Sequence, residues 1–167
     1  RETFSLVVLS DAFPYIWQKR MLAEEMMRVA GPEGTIVMPH LHSSLGENFT
    51  AGMTLTPASY QELFAPKGAR LFSDRALLDD VLGHNVVNLA AAVSAEELGT
   101  EPSCTLVATP HADIFSRQVL ATPKSVNGEL RVNPLYRVTF ADGASSLTLS
   151  FPTPEYEEEF GECRRYL

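Results

Sequence analysis

Phe4-Ser5-Leu6-Val7-Val8-Leu9, the corner Ser10-Asp11-Ala12-Phe13-Pro14-Tyr15 and, after a helical run, Gly31-Pro32-Glu33-Gly34 and Thr35-Ile36-Val37-Met38 decide how the chain is read. Phe4–Leu9 is nearly continuous in apolar residues, the pattern of a strand buried on both faces of a parallel sheet covered by helices. Pro14 breaks regular structure. From about Ile16 to Ala30, the residues Ile16, Leu22, Ala23, Met26, Met27 and Ala30 share one helical face, while Gln18, Lys19, Glu24, Glu25 and Arg28 take much of the other. Gly31 ends that helix and Pro32 stops its continuation. Thr35–Met38 is a second buried strand, which completes a β-α-β unit.

Beyond the unit, His40 to Thr56 reads as a long loop containing Gly46 and Gly52, and loops of this length are often functional. Thr56-Pro57 predicts an N-cap with proline at the first helical position, opening a short helix to Phe64. Pro66-Lys67-Gly68 turns the chain into a strand, Ala69–Phe72. Ser73 or Asp74 caps a helix from about Arg75 to Leu82. Asn85–Val93 fits either helix or strand. Ser94 caps a short helix to Leu98, and Cys104–Thr109 is another strand. After Pro110 the texture changes to strands at Ile114–Ala121, Glu129–Val132, Leu135–Phe140 and Ser145–Phe151. Asn127-Gly128 and Asp142-Gly143 are hairpin turns between them. The acidic tail Pro154–Leu167 reads as a solvated helix.

The 167 residues fit one domain, or one with a small appendage. A net charge of −8 repels phosphate backbones, so nucleic acid is not an expected partner. Cys104 and Cys163 are too few and too far apart for a disulfide framework or a zinc site, and they fit a reducing, cytoplasmic setting. No apolar run approaches the ~20 residues of a membrane span, so no membrane partner is expected. Asn48-Phe49-Thr50 matches the N-glycosylation triplet, a match common by chance and set aside for want of any secretion signal. The chain opens on Arg1-Glu2-Thr3 and passes straight into a strand, which reads as a fragment or processed piece of a larger protein.

Phe4–Phe13, followed by Met26-Met27-Arg28-Val29-Ala30-Gly31-Pro32-Glu33-Gly34-Thr35-Ile36-Val37-Met38, resembles the second half of a class I S-adenosylmethionine-dependent methyltransferase. In that family the fourth strand ends in a polar corner beside the methyl group, and a helix and glycine turn lead into the fifth. Thr56–Phe72 is similar to the next helix and strand, and Cys104–Thr109 to the last strand. The family's Phe-Asp at the start of strand four is Phe4-Ser5 here, and its Gly-Gly turn is Glu33-Gly34. The glycine-rich loop that holds most of the cofactor is absent from these residues. The resemblance therefore implies an α/β fold: a partial Rossmann-like sheet with flanking helices over residues 1–109. A small antiparallel, hairpin-rich appendage with an acidic tail follows over 110–167. S-adenosylmethionine is implied as cofactor only if the N-terminal half is supplied. Phe4–Leu9 would be a bare edge, expected to pair with another chain, a swapped segment or the C-terminal β region.

Methyl transfer needs positioning and, for some acceptors, removal of a proton. By resemblance, Ser10, Asp11 and Ala12 line the methionine end of the cofactor, and Asp11, Tyr15 and His42 are the catalytic candidates facing a small-molecule acceptor. Asp11 reads equally as a cap of the corner or helix. His40 and His42 follow the fifth strand and read as acceptor lining, as plain loop histidines, or as a metal-binding His-x-His pair. For the last reading Glu47 is the nearest carboxylate in sequence, and no metal is expected. Ser43 and Ser44 lack the Gly-x-Ser-x-Gly elbow of a hydrolase. The Met21, Met26, Met27 cluster and Trp17 read as packing residues. The competing function is a non-enzymatic binding or oligomerisation module that retains the half-fold.

Overall fold

Gly31 takes a positive φ of 64° at the end of the first long helix, and the chain turns straight back into the sheet. A computed structural model describes residues 4–47, 52–121, 131–161 and 164. The Asn127-Gly128 turn, the Asn48-Phe49-Thr50 triplet, the start of the Glu129–Val132 strand and Cys163 lie outside them. Two compact units divide the chain, Arg1–Leu120 and Ala121–Leu167. The first contains β1 (Leu6–Val8), α1 (Lys19–Ala30), β2 (Thr35–His42), α2 (Pro57–Leu63), β3 (Arg70–Ser73), α3 (Asp74–His84), β4 (Val86–Asn88), α4 (Ala95–Leu98), β5 (Ser103–Ala108) and β6 (Arg117–Val119). The second contains β7 (Tyr136–Ala141), β8 (Ala144–Leu149) and α5 (Pro154–Phe160).

The fold is mixed α/β with a partly parallel four-stranded sheet in the order β1-β2-β5-β3. β1 runs parallel to β2, with Leu6 opposite Thr35 and Val8 opposite Val37. β5 runs antiparallel to both its neighbours. Gly34 sits where α1 and β1 converge. A Cβ there would overlap the carbonyl oxygens of Ala30 and Phe4, so the turn needs glycine for space. Lys67 closes the same turn from outside, donating from Nζ to the carbonyls of Gly34 (2.7 Å) and Pro32 (3.2 Å). Burial pushes its pKa below the ordinary lysine value.

Local signals account for the helix boundaries. Thr56 caps α2 by accepting from Ser59 N–H, with Pro57 at the first position. Ser73 caps α3. Ser94 and Glu97 form a capping box on α4. One face of the sheet carries the core: Ile36, Met38 and Leu41 of β2, Leu71 of β3 and Cys104, Leu106 and Ala108 of β5. Ala23, Met26 and Ala30 of α1, Tyr60 and Phe64 around α2, and Leu98 of α4 cover it.

Several expectations are corrected. The second strand does not end at Met38 but runs to His42, because β5 supplies a partner as far as Ser103. Both histidines therefore stand on a strand rather than in the loop after it. β1 is not buried on both faces: Leu6 and Val8 are 54% and 55% exposed, since no described element covers that side. Trp17 is exposed, because it precedes α1 instead of lying on its packed face, and Met21 points outward while Met26 is buried. Lys19, placed by periodicity on the solvated face, is buried. Within Asn85–Val93 the chain forms β4, which pairs with β6 and carries the first unit on past Pro110.

In the second unit β7 and β8 form an antiparallel hairpin. It turns on Asp142 (φ 51°) and Gly143 (φ 75°), the two positive φ values that a tight hairpin turn requires. Thr153 caps α5, and Arg164 pairs with Glu157 while its guanidinium lies over the Phe151 ring.

Candidate functional site

The corner after β1 is built around a buried cation. Lys19 Nζ donates to the carbonyls of Phe13 (3.0 Å), Pro14 (3.2 Å) and Ile16 (3.0 Å), gathering the 3₁₀ turn Phe13–Tyr15 onto the start of α1. Burial lowers the Lys19 pKa from its ordinary value. On the inner side Phe13 is fully buried and meets Tyr60 edge-on, with ring centroids 5.8 Å apart. Met53 N–H donates to the Pro14 carbonyl at 2.8 Å, fixing the corner from a second direction. Asp11 sits at the apex with a positive φ of 49°, a conformation that a non-glycine residue holds only when its surroundings enforce it. Its carboxylate is half-exposed.

The two histidines reach this corner through an irregularity in β2. Met38 pairs with Leu106 and Leu41 with Cys104, so β2 carries one residue more than β5 across this interval. The extra residue is a β-bulge, and His40 within it has φ 55°. Side chains alternate along a strand. With the bulge, Met38 and Leu41 both enter the core, and His40 and His42 fall on the opposite face. Their rings meet edge-on with centroids 4.7 Å apart. His42 Nε2 lies 3.1 Å from Asp11 Oδ1. The His42 side chain is only 7% exposed, and its Nδ1 is the one buried side-chain polar atom among the described residues that has no hydrogen-bond partner.

A second carboxylate stands behind His40. Asp74 opens α3, and its Oδ2 lies 3.4 Å from His40 Nδ1. Ser103 Oγ donates to Asp74 Oδ2 and Thr105 Oγ1 to Oδ1, each at 2.6 Å. Ser103 and Thr105 are two apart on β5 and so share a face, while Cys104 between them enters the core. Tyr60 supports the end of β2. Its hydroxyl donates to the His42 carbonyl (2.9 Å) and accepts from Leu55 N–H (3.0 Å).

The structure thus joins two of the catalytic candidates, Asp11 and His42. Tyr15 stands in the turn that follows, exposed, and Ser10 and Ala12 flank Asp11 on the chain. Sequence reasoning missed Asp74, Ser103, Thr105, Tyr60 and the role of Lys19. The polar pair Ser103 and Thr105, alternating on an otherwise apolar strand, was the readable signal. Glu47 was the nearest carboxylate along the chain, but parallel pairing of β1 with β2 brings Asp11 instead. Asp11, His40 and His42 each offer a ligand atom, all within 4.8 Å of one another. Ser43 is buried, and its Oγ accepts from Leu45 N–H inside a turn, which does not suit a nucleophile.

Chemically, the cluster offers a half-exposed carboxylate held by a buried imidazole, and a second imidazole backed by a hydroxyl-bound carboxylate. Such an arrangement can accept a proton, orient a polar ligand or hold a cation. A surface hollow of about 290 Å³ lies elsewhere, beside Pro32, Lys67, Arg70 and Phe115. Its cations are already engaged: Lys67 binds carbonyls, and the Arg70 guanidinium stacks on Phe115 at 3.9 Å. Among the described residues no helix is long and apolar enough to cross a membrane. No protein-family model, no curated protein and no solved structure matches this chain.

Proposed function

We infer that the first unit forms the acceptor side of an S-adenosylmethionine-dependent methyltransferase acting on a small molecule. The observation that carries this reading is the placement of Asp11, His40 and His42 at the carboxyl ends of the adjacent parallel strands β1 and β2. Open α/β sheets bind their ligands at such strand ends, where the order of the sheet allows a crevice. Strand order lends support. The resembled family inserts its last strand antiparallel beside the fifth, as β5 lies beside β2. The edge of β1 away from β2, unpaired among the described residues, is where that family's first strand would pair.

In this reading Ser10, Asp11 and Ala12 form one wall of the cofactor site. S-adenosylmethionine, held there, would supply an activated methyl group to the acceptor. Asp11, the more exposed member of the pair, receives the acceptor's proton. His42 Nε2 lies beside that carboxylate and holds its direction, so it is a positioning residue. The pair has geometric reach for this work at 3.1 Å.

The test uses the natural reading frame that contains these residues. A strand followed by Gly-x-Gly-x-Gly upstream of Arg1, with binding of S-adenosylmethionine by calorimetry, is expected. Asp11→Asn should lower kcat/KM by roughly 10²-fold or more, and His84→Gln should leave it unchanged. A frame with an unrelated upstream segment, or one whose product does not bind the cofactor, overturns the reading. Among the described residues β1 pairs with β2 alone and exposes Leu6 and Val8, which favours a second reading, a binding or oligomerisation module. Concentration-dependent association in sedimentation, with no cofactor binding by the whole product, would select it.

A further inference from the structure

We propose that Asp11, His40 and His42 form a site for one divalent transition-metal ion, with open coordination positions facing solvent. Three observations carry this. The ligand atoms of the three residues lie within 4.8 Å of one another. Metal bonds of about 2.0–2.2 Å set neighbouring ligand atoms roughly 3–3.6 Å apart, and the Asp11–His42 pair already has that spacing at 3.1 Å. Asp11 and His40 both retain exposure, so small side-chain rotations close the third side.

The outer contact of His40 matches that of a metal-binding imidazole. Such a histidine donates its other ring N–H to a carboxylate, which fixes the tautomer and raises the basicity of the ligating nitrogen. Asp74 occupies that position behind His40 Nδ1, and it is itself held by the hydroxyls of Ser103 and Thr105. This support serves no helix cap, because Ser73 already caps α3.

The donor set selects the ion. Two imidazoles and one carboxylate suit zinc and its first-row neighbours, whereas magnesium and calcium prefer oxygen alone. Cys104 is not a fourth ligand: its thiol enters the core, and burial raises its pKa to about 12. Three protein ligands with open positions is the pattern of a reactive rather than a structural site. A hydroxyl or carboxylate of a bound small molecule would take those positions. The proposal stands on this geometry and does not rest on methyl transfer.

The test is titration of metal-free protein with Zn²⁺ and with Co²⁺, without S-adenosylmethionine or acceptor. One equivalent should bind with micromolar or tighter affinity, and Co²⁺ should give visible d–d absorption. Asp11→Ala and His40→Ala should each weaken binding at least 100-fold, and Asp74→Asn about 10–100-fold. His84→Gln and His111→Gln should leave the affinity unchanged, and excess Mg²⁺ or Ca²⁺ should not compete. The two ligand variants alter partly exposed side chains, so far-UV circular dichroism should match the parent. Affinity weaker than about 1 mM, equal affinity in both ligand variants, or loss of binding in the His84 or His111 variant overturns the site. Failure of S-adenosylmethionine binding leaves this result untouched, and the two readings therefore fail separately.

Discussion

Replacing Tyr60 with phenylalanine isolates one hydroxyl at the base of the site. The ring is completely buried, so the substitution keeps its packing against Phe13. What disappears is the oxygen that links Leu55 N–H, before α2, to the His42 carbonyl at the end of β2. An unsatisfied buried polar group costs about 1–3 kcal/mol. Here two are stripped at once, but a carbonyl tolerates the loss better than an N–H. We therefore expect a net destabilisation of about 2–3 kcal/mol. With a urea m-value of roughly 2 kcal/mol/M, the midpoint should fall by about 1 M at unchanged slope. Amide exchange gives a local readout, since the Leu55 N–H should lose protection while the α1 amides change only with global stability. A midpoint within about 0.2 M of the parent, together with a still-protected Leu55 amide, would refute the claim that this hydroxyl anchors the strand bearing His42.

Two further predictions follow from packing and burial. Gly34→Ala forces a methyl group against the backbone oxygens of Ala30 and Phe4 and should cost about 3 kcal/mol. Gly83→Ala, on α3 with open space around it, should gain about 0.5–1 kcal/mol. Thermal unfolding should move the two in opposite directions, and similar shifts would refute the crowding argument. The Cys104 thiol, raised from 9.0 to about 12 by burial, should resist iodoacetamide at pH 8.5 in a Cys163→Ser background and react once urea unfolds the chain. The fold holds this proton more tightly than the unfolded chain does. Its stabilising contribution is therefore complete below the unfolded thiol pKa and declines as pH rises from about 9 towards 12. Native-state labelling as fast as unfolded labelling would contradict that burial.

Short-range chemistry was legible. Gly31, Thr56-Pro57, Ser73, Ser94, and Asp142-Gly143 each announce a boundary within a few residues, and the structure places helix ends or a turn at each. What periodicity could not show was which face a neighbour covers. Lys19 looked solvated because its carbonyl partners come from the preceding turn, not from α1. Leu6 and Val8 looked buried because apolar runs usually are, yet nothing described packs on them. The site was half legible. Asp11 and His42 stood out individually, but their contact depends on strand pairing between residues 31 apart in number, and Asp74 arrives from a third strand–helix junction. The hairpin-rich C-terminal unit announced itself through its turn dipeptide, though that dipeptide carried no functional signal.

The bulge in β2 makes the chemical character of a whole strand end a matter of parity. Upstream of it, even-numbered residues such as Ile36 and Met38 face the core; downstream, odd-numbered Leu41 does. Were the same residues to run without the bulge, the end of the strand would invert, driving imidazoles into the hydrocarbon and putting leucine beside Asp11, whereas deleting one residue between Met38 and Leu41 would only remove the bulge and leave Leu41 and His42 on their present faces. The same arithmetic offers a route by which such a site can arise. One inserted codon in a plain strand, taken up as a bulge, adds a residue to the displayed face, and the positions beyond it keep both their faces and their register.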